Sequence, residues 1–305
     1  MSDRLVVLNK DEDTVSFVDV GSGDRLGIVK VGSHPHEVAF SPDGEVAYVS
    51  NAMGNSISVI STPAMEETER IEHPEFRFPH DIKISPDGRK LYVAVTYANK
   101  VFIYDRASLE VLKILPTGQR LSHMLAPTPD WKHLYVPNLG SNTLSFVNTA
   151  TDEIEKHIVV GRTPEGVAVH PSGEFLYVAN QDDDDFIAVD TEHHGLITRH
   201  PIGGTPVRLV FSPDGRYAFT ANRSSHDVSV IDAERHWEIK RIPVGRWPGG
   251  IAFNRSGSRA YVANNKTNDI SVIDVAALKE IGRIVAGIHP DGIGYLACSE
   301  SDAKR

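Results

Sequence analysis

The 305-residue chain has a single cysteine, Cys298, so no disulfide can form within it. No apolar run approaches the roughly 20 residues that a membrane-spanning helix requires. The opening stretch, MSDRLVVLNKDEDTVSF, lacks both the apolar core and the cleavage site of a secretory leader. These absences lead to the expectation of a soluble, cytoplasmic protein in which Cys298 is a core residue of the last strand. Amphipathic helices are missing too, since no segment carries an apolar period of 3.6 residues. There is no phosphate-binding loop, no glycine fingerprint between a strand and a helix, no CxxC pair, no CxxCH haem site and no nucleophilic serine elbow. Positive charge is in deficit: 31 Lys and Arg against 41 Asp and Glu give a net charge of -10. Nucleic acid and anionic membrane are therefore excluded as partners of the body of the protein.

What the chain has in abundance is one phrase. Residues 32–51, GSHPHEVAFSPDGEVAYVSN, return in variants aligned at His36, His80, His123, Glu165, Val207, Gly249 and Asp291, with steps of 44, 43, 42, 42, 42 and 42 residues. Each copy runs through a short apolar strand, a turn such as SPDG, a second strand ending in Asn, a third strand such as SISVIS or DISVID, and a fourth leading into the next copy. Four strands in a period near 42 define the blade of a β-propeller, which cannot bury its faces alone. Seven copies predict an all-β, seven-bladed propeller forming one domain over 1–305. Blade one is split between 1–31 and 287–298, so that the last strand closes the ring. Blades two to seven occupy 32–286, and SESDAKR at the end is expected to fray.

The tetrapeptides YVSN (48–51), YVPN (135–138) and YVAN (177–180 and 261–264) resemble the YVTN-repeat family of seven-bladed propellers along the whole chain. That resemblance implies fold rather than chemistry. Blade three departs with YVAV at 92–95, and blade six with FTAN at 219–222. The motif residues Asn51, Asn138, Asn180, Asn222 and Asn264 are expected to fix turns through side-chain to backbone bonds.

Function is sought where the repeats disagree. The residue aligned in each copy sits where the chain returns to the axis, at the mouth of the channel. Three consecutive blades place His36, His80 and His123 there, and the fourth places Glu165. Imidazoles and a carboxylate converging on one axis suit a divalent transition metal ion, iron, copper, zinc or nickel, better than calcium or magnesium. Each histidine taken alone is equally a polar turn residue. Three positions before the ring lie Arg77, Arg120, Arg162 and Arg246, while Arg208 follows Val207. Such guanidinium groups offer a fork for a carboxylate or phosphate, or else pair with acidic loops. His34 and His289 stand as outer neighbours of His36 and Asp291 or as fixtures of the turns. His226 reads as an exposed loop histidine, and Asp182–Asp185 as a solvated turn. Trp247 beside the mouth is a candidate lid or stacking surface. His193, His194, His200 and His236 receive no role.

Residues 123–148, HMLAPTPDWKHLYVPNLGSNTLSFVN, also resemble the His-led blade of the lactonase-type seven-bladed propellers. That resemblance implies action on cyclic sugar acids or muconates, with His123 as acid or base and Arg120 or Arg162 holding a carboxylate. In ligand type alone, the cluster is similar to the histidine-rich iron centres of carotenoid-cleaving propellers. The leading expectation is a metal-dependent enzyme acting on a small anionic molecule, with His36, His80, His123 and Glu165 around the ion. Glu165 and His123 would carry the proton transfers and Arg77, Arg120, Arg162, Arg208 and Arg246 would hold the substrate. Two alternatives stand beside it: a metal-free lactonase or cycloisomerase centred on His123, and a non-catalytic scaffold or metal-binding propeller. The oligomeric state is left open.

Overall fold

A computed structural model describes residues 2–297, so Cys298 and the tail 299–305 lie outside the described residues. Strands β1 (Arg4–Asn9), β2 (Thr14–Asp19) and β3 (Arg25–Lys30) form the outer part of the first blade. The second blade is β4 (Pro35–Phe40), β5 (Val46–Asn51), β6 (Ser56–Ser61) and β7 (Glu66–Glu72), joined as an antiparallel meander. Five more blades follow this order, and the last strand, β28 (Pro290–Leu296), pairs antiparallel with β1. The ring is thus seven four-stranded sheets, and the only helix among the described residues is a single 3-10 turn at Thr96–Ala98. Among the described residues no helix is long and apolar enough to cross a membrane.

Strand position within a blade sets its composition. Second strands are covered on both faces by neighbouring blades, so β5 is buried almost throughout rather than on alternate residues. Fourth strands face solvent, and β7, EETERIE, is largely exposed. Seven apolar clusters hold the ring, one between each pair of adjacent blades. The cluster of Leu5, Val7 and Val18 with Tyr261, Ala263 and Ile270 joins the seventh blade to the first. Pairing β28 with β1 covers the edge that β1 would otherwise expose.

The motif asparagines bind differently from expectation. Asn51 Nδ2 donates to Ser56 Oγ at 3.1 Å and Ser58 Oγ at 2.9 Å, and Asn9, Asn138, Asn222 and Asn264 likewise reach third-strand side chains. Backbone bonds are the minority: the amides of Gly161 and Gly287 donate to Asn180 and Asn9. A glycine packs against the asparagine in most blades, and a Cβ at Gly32 would lie 2.6 Å from Asn51 Nδ2. Blade three exchanges both partners at once, since Phe76 stands at the glycine position and Val95 at the asparagine position, both fully buried in one cluster. The loss of Asn in YVAV is therefore a compensated repacking.

Candidate functional site at the mouth of the channel

The residue two before each ring position adopts a left-handed φ of 51° to 66° in all seven blades: His34, Phe78, Leu121, Thr163, Thr205, Trp247 and His289. That conformation costs a residue with a side chain about 1 kcal/mol, and two hydrogen bonds hold it here. The amide donates to a side chain of the preceding blade's turn, as His34 to Asp13 at 2.9 Å and Phe78 to Asn55 at 2.9 Å. The carbonyl accepts from the residue after the motif asparagine, as His289 from Lys10 at 3.1 Å and Thr205 from Arg223 at 2.9 Å. His226 takes an asparagine's place in this latch, its Nδ1 accepting the Trp247 amide at 3.3 Å. The latches fix three loop positions per blade around the axis.

A register shift at the start of the inner strand then turns two consecutive residues toward the axis. It falls between Pro35 and Val38, Pro79 and Ile82, and Pro164 and Val167, with counterparts in the other blades. Such bulges re-aim side chains. Below the ring of His36, His80, His123 and Glu165 there is accordingly a second ring that contains Glu37, Asp81, Met124 and Arg208. Blade four deviates: Ser122 replaces the proline, only Ala126–Pro127 remains as inner strand, and the freed Leu125 amide donates to Asp81 Oδ2 at 2.8 Å.

These rings enclose a cavity of about 340 Å³ lined by all four expected ligands and by Arg208 and Asp291. His36 and His80 lie with ring centres 4.8 Å apart, and His80 stacks on His123 at 3.6 Å. Asp291 Oδ2 sits 3.0 Å from His36 Nδ1 and 3.2 Å from Lys10 Nζ. Thr96 Oγ1 meets His123 Nδ1 at 3.0 Å. His80 Nδ1 is buried with no hydrogen-bond partner among the described residues. Glu165 has no hydrogen-bond or ion-pair partner among the described residues, although it is buried. Phe78 and Tyr97 form an aromatic wall beside the imidazoles, while Lys10 and Arg223 supply positive charge on the other side.

Burial sets the protonation states. It lowers His36 to about 4 against the opposing pull of Asp291, and His123 to about 3 with the help of nearby positive charge. His80 is pushed well below its ordinary value by burial and by the other two imidazoles. All three are thus neutral at pH 7, each with a bare nitrogen lone pair. Burial raises Glu165 to about 7, outweighing Arg223 and Arg208. Burial also acts on Asp291, but His36, Lys10 and Arg223 overcome it and hold that carboxylate well below its usual range.

A metal needs donors that converge. The ligand atoms that lie within 4.8 Å of one another belong to His36, Glu37 and His80. An ion bound in the plane of two imidazoles sits about 3 Å from each ring centre, given metal–nitrogen bonds of about 2.0–2.1 Å. Rings 3.6 Å apart with planes inclined by only 26° have no common point that close. In these rotamers His80 and His123 do not share an ion.

Of the expected substrate arginines only Arg208 lines the cavity, where it pairs with Glu37 across the channel. It also lines a second, more apolar cavity of about 400 Å³ farther along the axis. Arg77 binds the carbonyls of Pro74 and Phe76, and Arg162 pairs with Asp183 at 2.5 Å. Arg120 and Arg246 are exposed outside the cavity wall. The run Asp182–Asp185 is engaged by Arg162, Arg199 and Thr205. His34 and His289 lie beside Asp11 on the rim. Trp247 is half-exposed with Arg223 and Lys266 over its ring. Sequence reasoning missed Arg223, Lys10, Thr96 and Gln181, which all follow the second-strand motif directly; that position varies in register with the ring position and was open to the same comparison of copies.

Residues 1–149 match the family model described as lactonase, 7-bladed beta-propeller. The chain is a β-propeller with lactonase-like similarity. Residues 154–300 match the model of YNCE-like beta-propellers, so each half is similar to a different propeller family. No curated protein matches the sequence. Among solved structures, Kuenenia stuttgartiensis hydrazine synthase aligns with a TM-score of 0.81 and 24% identity over 88% of this chain and 91% of that one. A Bacteroides fragilis protein assigned provisionally as a 6-phosphogluconolactonase gives 0.79 and 16% over 96% and 98%. A dihydro-heme d1 dehydrogenase in complex with DHE gives 0.70 and 17%, over 92% of this chain and 63% of that one. At these identities the likeness is one of fold.

Proposed function

We propose that the channel mouth binds a small anionic molecule and acts on it by proton transfer assisted by one divalent transition metal ion, iron, copper, zinc or nickel. The observation that carries this reading is the composition of one cavity: three neutral imidazoles and a protonatable Glu165 facing Lys10 and Arg223. An ion bound beside His36 and His80 would supply Lewis acidity. Lys10 is committed to Asp291, whereas Arg223 has no carboxylate partner within ion-pair reach among the described residues, so Arg223 is free to receive the anion. Glu165, near half-protonated at neutral pH, is matched to give or take a proton there. The polar end of the ligand lies toward blades six, seven and one, and its apolar body toward Phe78 and Tyr97.

A second reading, a metal-free hydrolase or cycloisomerase of cyclic esters, is favoured by the lactonase-like half, which contributes all three histidines. In that case His123, oriented by Thr96, is the base. Thermal shifts with a panel of lactones, sugar phosphates and dicarboxylates, for wild type and Arg223→Met, test the anion site. The expected result is a ligand that stabilises wild type and not the variant, and no shift across the panel contradicts it. Turnover abolished by a chelator supports the metal-assisted form; turnover indifferent to it supports the second.

A further inference from the structure

Within the metal-assisted reading, we propose that the ion's protein donors are His36, Glu37 and His80, and that Arg208 is a latch that occupies Glu37 until the ion displaces it. Glu37 belongs with the two histidines on geometry, since only their ligand atoms gather within 4.8 Å among the described residues. The bulge between Pro35 and Val38 makes this possible by turning two consecutive residues, His36 and Glu37, toward the same axis.

Independent support comes from His80. It is 4% exposed, and its Nδ1 has no hydrogen-bond partner among the described residues. A buried polar nitrogen left unpaired costs about 1–3 kcal/mol, and a metal bond is one way to satisfy it. His36 is prepared from the other side, because Asp291 holds its Nδ1 at 3.0 Å and is itself held by Lys10. A carboxylate behind a ligating histidine is the usual outer support that fixes the tautomer. It leaves Nε2 of His36 as the donor. His123 is excluded by its stacking on His80, and Glu165 stands apart from the group, which leaves it free for proton transfer.

Bonds of about 2.0–2.2 Å bring donors to roughly 3–3.5 Å from one another, so the group must contract by about 1–2 Å and Glu37 must swing off Arg208. Arg208 lines both cavities along the channel. Once released it becomes a buried guanidinium without its carboxylate, ready for an anion. Metal and anion affinity are therefore coupled, each strengthening the other by the same factor.

The test is titration of the metal-free protein with Zn²⁺ and Co²⁺, followed by calorimetry and by the visible absorption of bound Co²⁺, with circular dichroism as a check on folding. Wild type takes up about one ion. Outer partners of a ligand are worth roughly ten- to a hundredfold in affinity, so Glu37→Gln and His80→Gln, which remove a donor itself, weaken binding by at least about a hundredfold. His123→Gln and Glu165→Gln change it by less than about threefold. Arg208→Met removes the competitor and tightens binding, which tests the latch even where Glu37→Gln fails to fold. Inorganic phosphate added with the metal tightens binding in wild type and not in Arg208→Met. Weakening by His123→Gln or Glu165→Gln comparable to that of Glu37→Gln overturns the donor set and leaves metal binding intact, and so does an Arg208→Met affinity equal to wild type. No ion bound by wild type overturns the metal-assisted reading itself.

Discussion

Replacing Glu165 by glutamine stabilises the protein by an amount that grows with pH, which tests the electrostatics of the cavity. Burial lifts this carboxyl from 4.5 to about 7, with Arg223 and Arg208 only partly opposing. An acid whose folded pKa exceeds its unfolded value keeps its proton in the native state while the unfolded chain loses it, so stability falls as pH rises from 4.5 to about 7. At 1.36 kcal/mol per unit, the full rise corresponds to about 3 kcal/mol. Glutamine does not titrate, and it mimics the protonated carboxyl. Urea unfolding of metal-free wild type and Glu165→Gln then gives similar midpoints near pH 4. Between about pH 4 and pH 8 the variant gains on wild type by up to about 3 kcal/mol. The histidines titrate in both proteins and cancel in the comparison. A difference that stays flat, or that favours wild type at alkaline pH, would mean that the two arginines hold Glu165 ionised, and would refute the argument.

Other perturbations follow from the same geometry. His123, lowered to about 3, makes stability fall as pH drops below 6.5, by about 3 kcal/mol over the first two units; acid unfolding of His123→Gln should lack that component, and an unchanged acid profile counts against a buried neutral imidazole. Asp291→Asn removes the charge behind His36, and Zn²⁺ affinity should fall roughly ten- to a hundredfold, as read by competition with a chromophoric chelator. Val95→Asn alone places an amide against buried Phe76 and should cost about 2–4 kcal/mol. The double variant with Phe76→Gly restores the pair found in other blades, and thermal denaturation should show recovery of much of that loss.

Much of the fold was legible because the signal was repeated seven times. The period gave blade number and the split first blade, and the pairing of β28 with β1 bears it out. The same comparison of copies pointed to His36, His80, His123 and Glu165, which do face one cavity. Of its arginines Arg208 lines the cavity, while those three residues before the ring do not, because there the chain is still on the outer side of the left-handed loop, where Arg162 meets Asp183 in the alternative pairing with an acidic loop. Glu37 and Arg208 share the second axial position, and only Arg208 was singled out, on charge. A bulge that presents two consecutive residues to one side breaks the alternation by which strand faces are read from sequence. Arg223 and Lys10 stood at a position that the same comparison could have examined, but they follow an asparagine whose own role is structural, and their approach to the axis depends on the hydrogen bonds between loops. Stacking of His80 on His123 depends on rotamers, which no spacing rule encodes.

Anomalous diffraction from crystals grown with Zn²⁺ tests the central claim most directly. The account predicts one strong peak at the channel mouth within bonding distance, about 2.0–2.2 Å, of His36, His80 and Glu37, with Arg208 turned away from Glu37. A map with no peak at the mouth, or with zinc only on surface histidines and an intact Arg208–Glu37 pair, would contradict it.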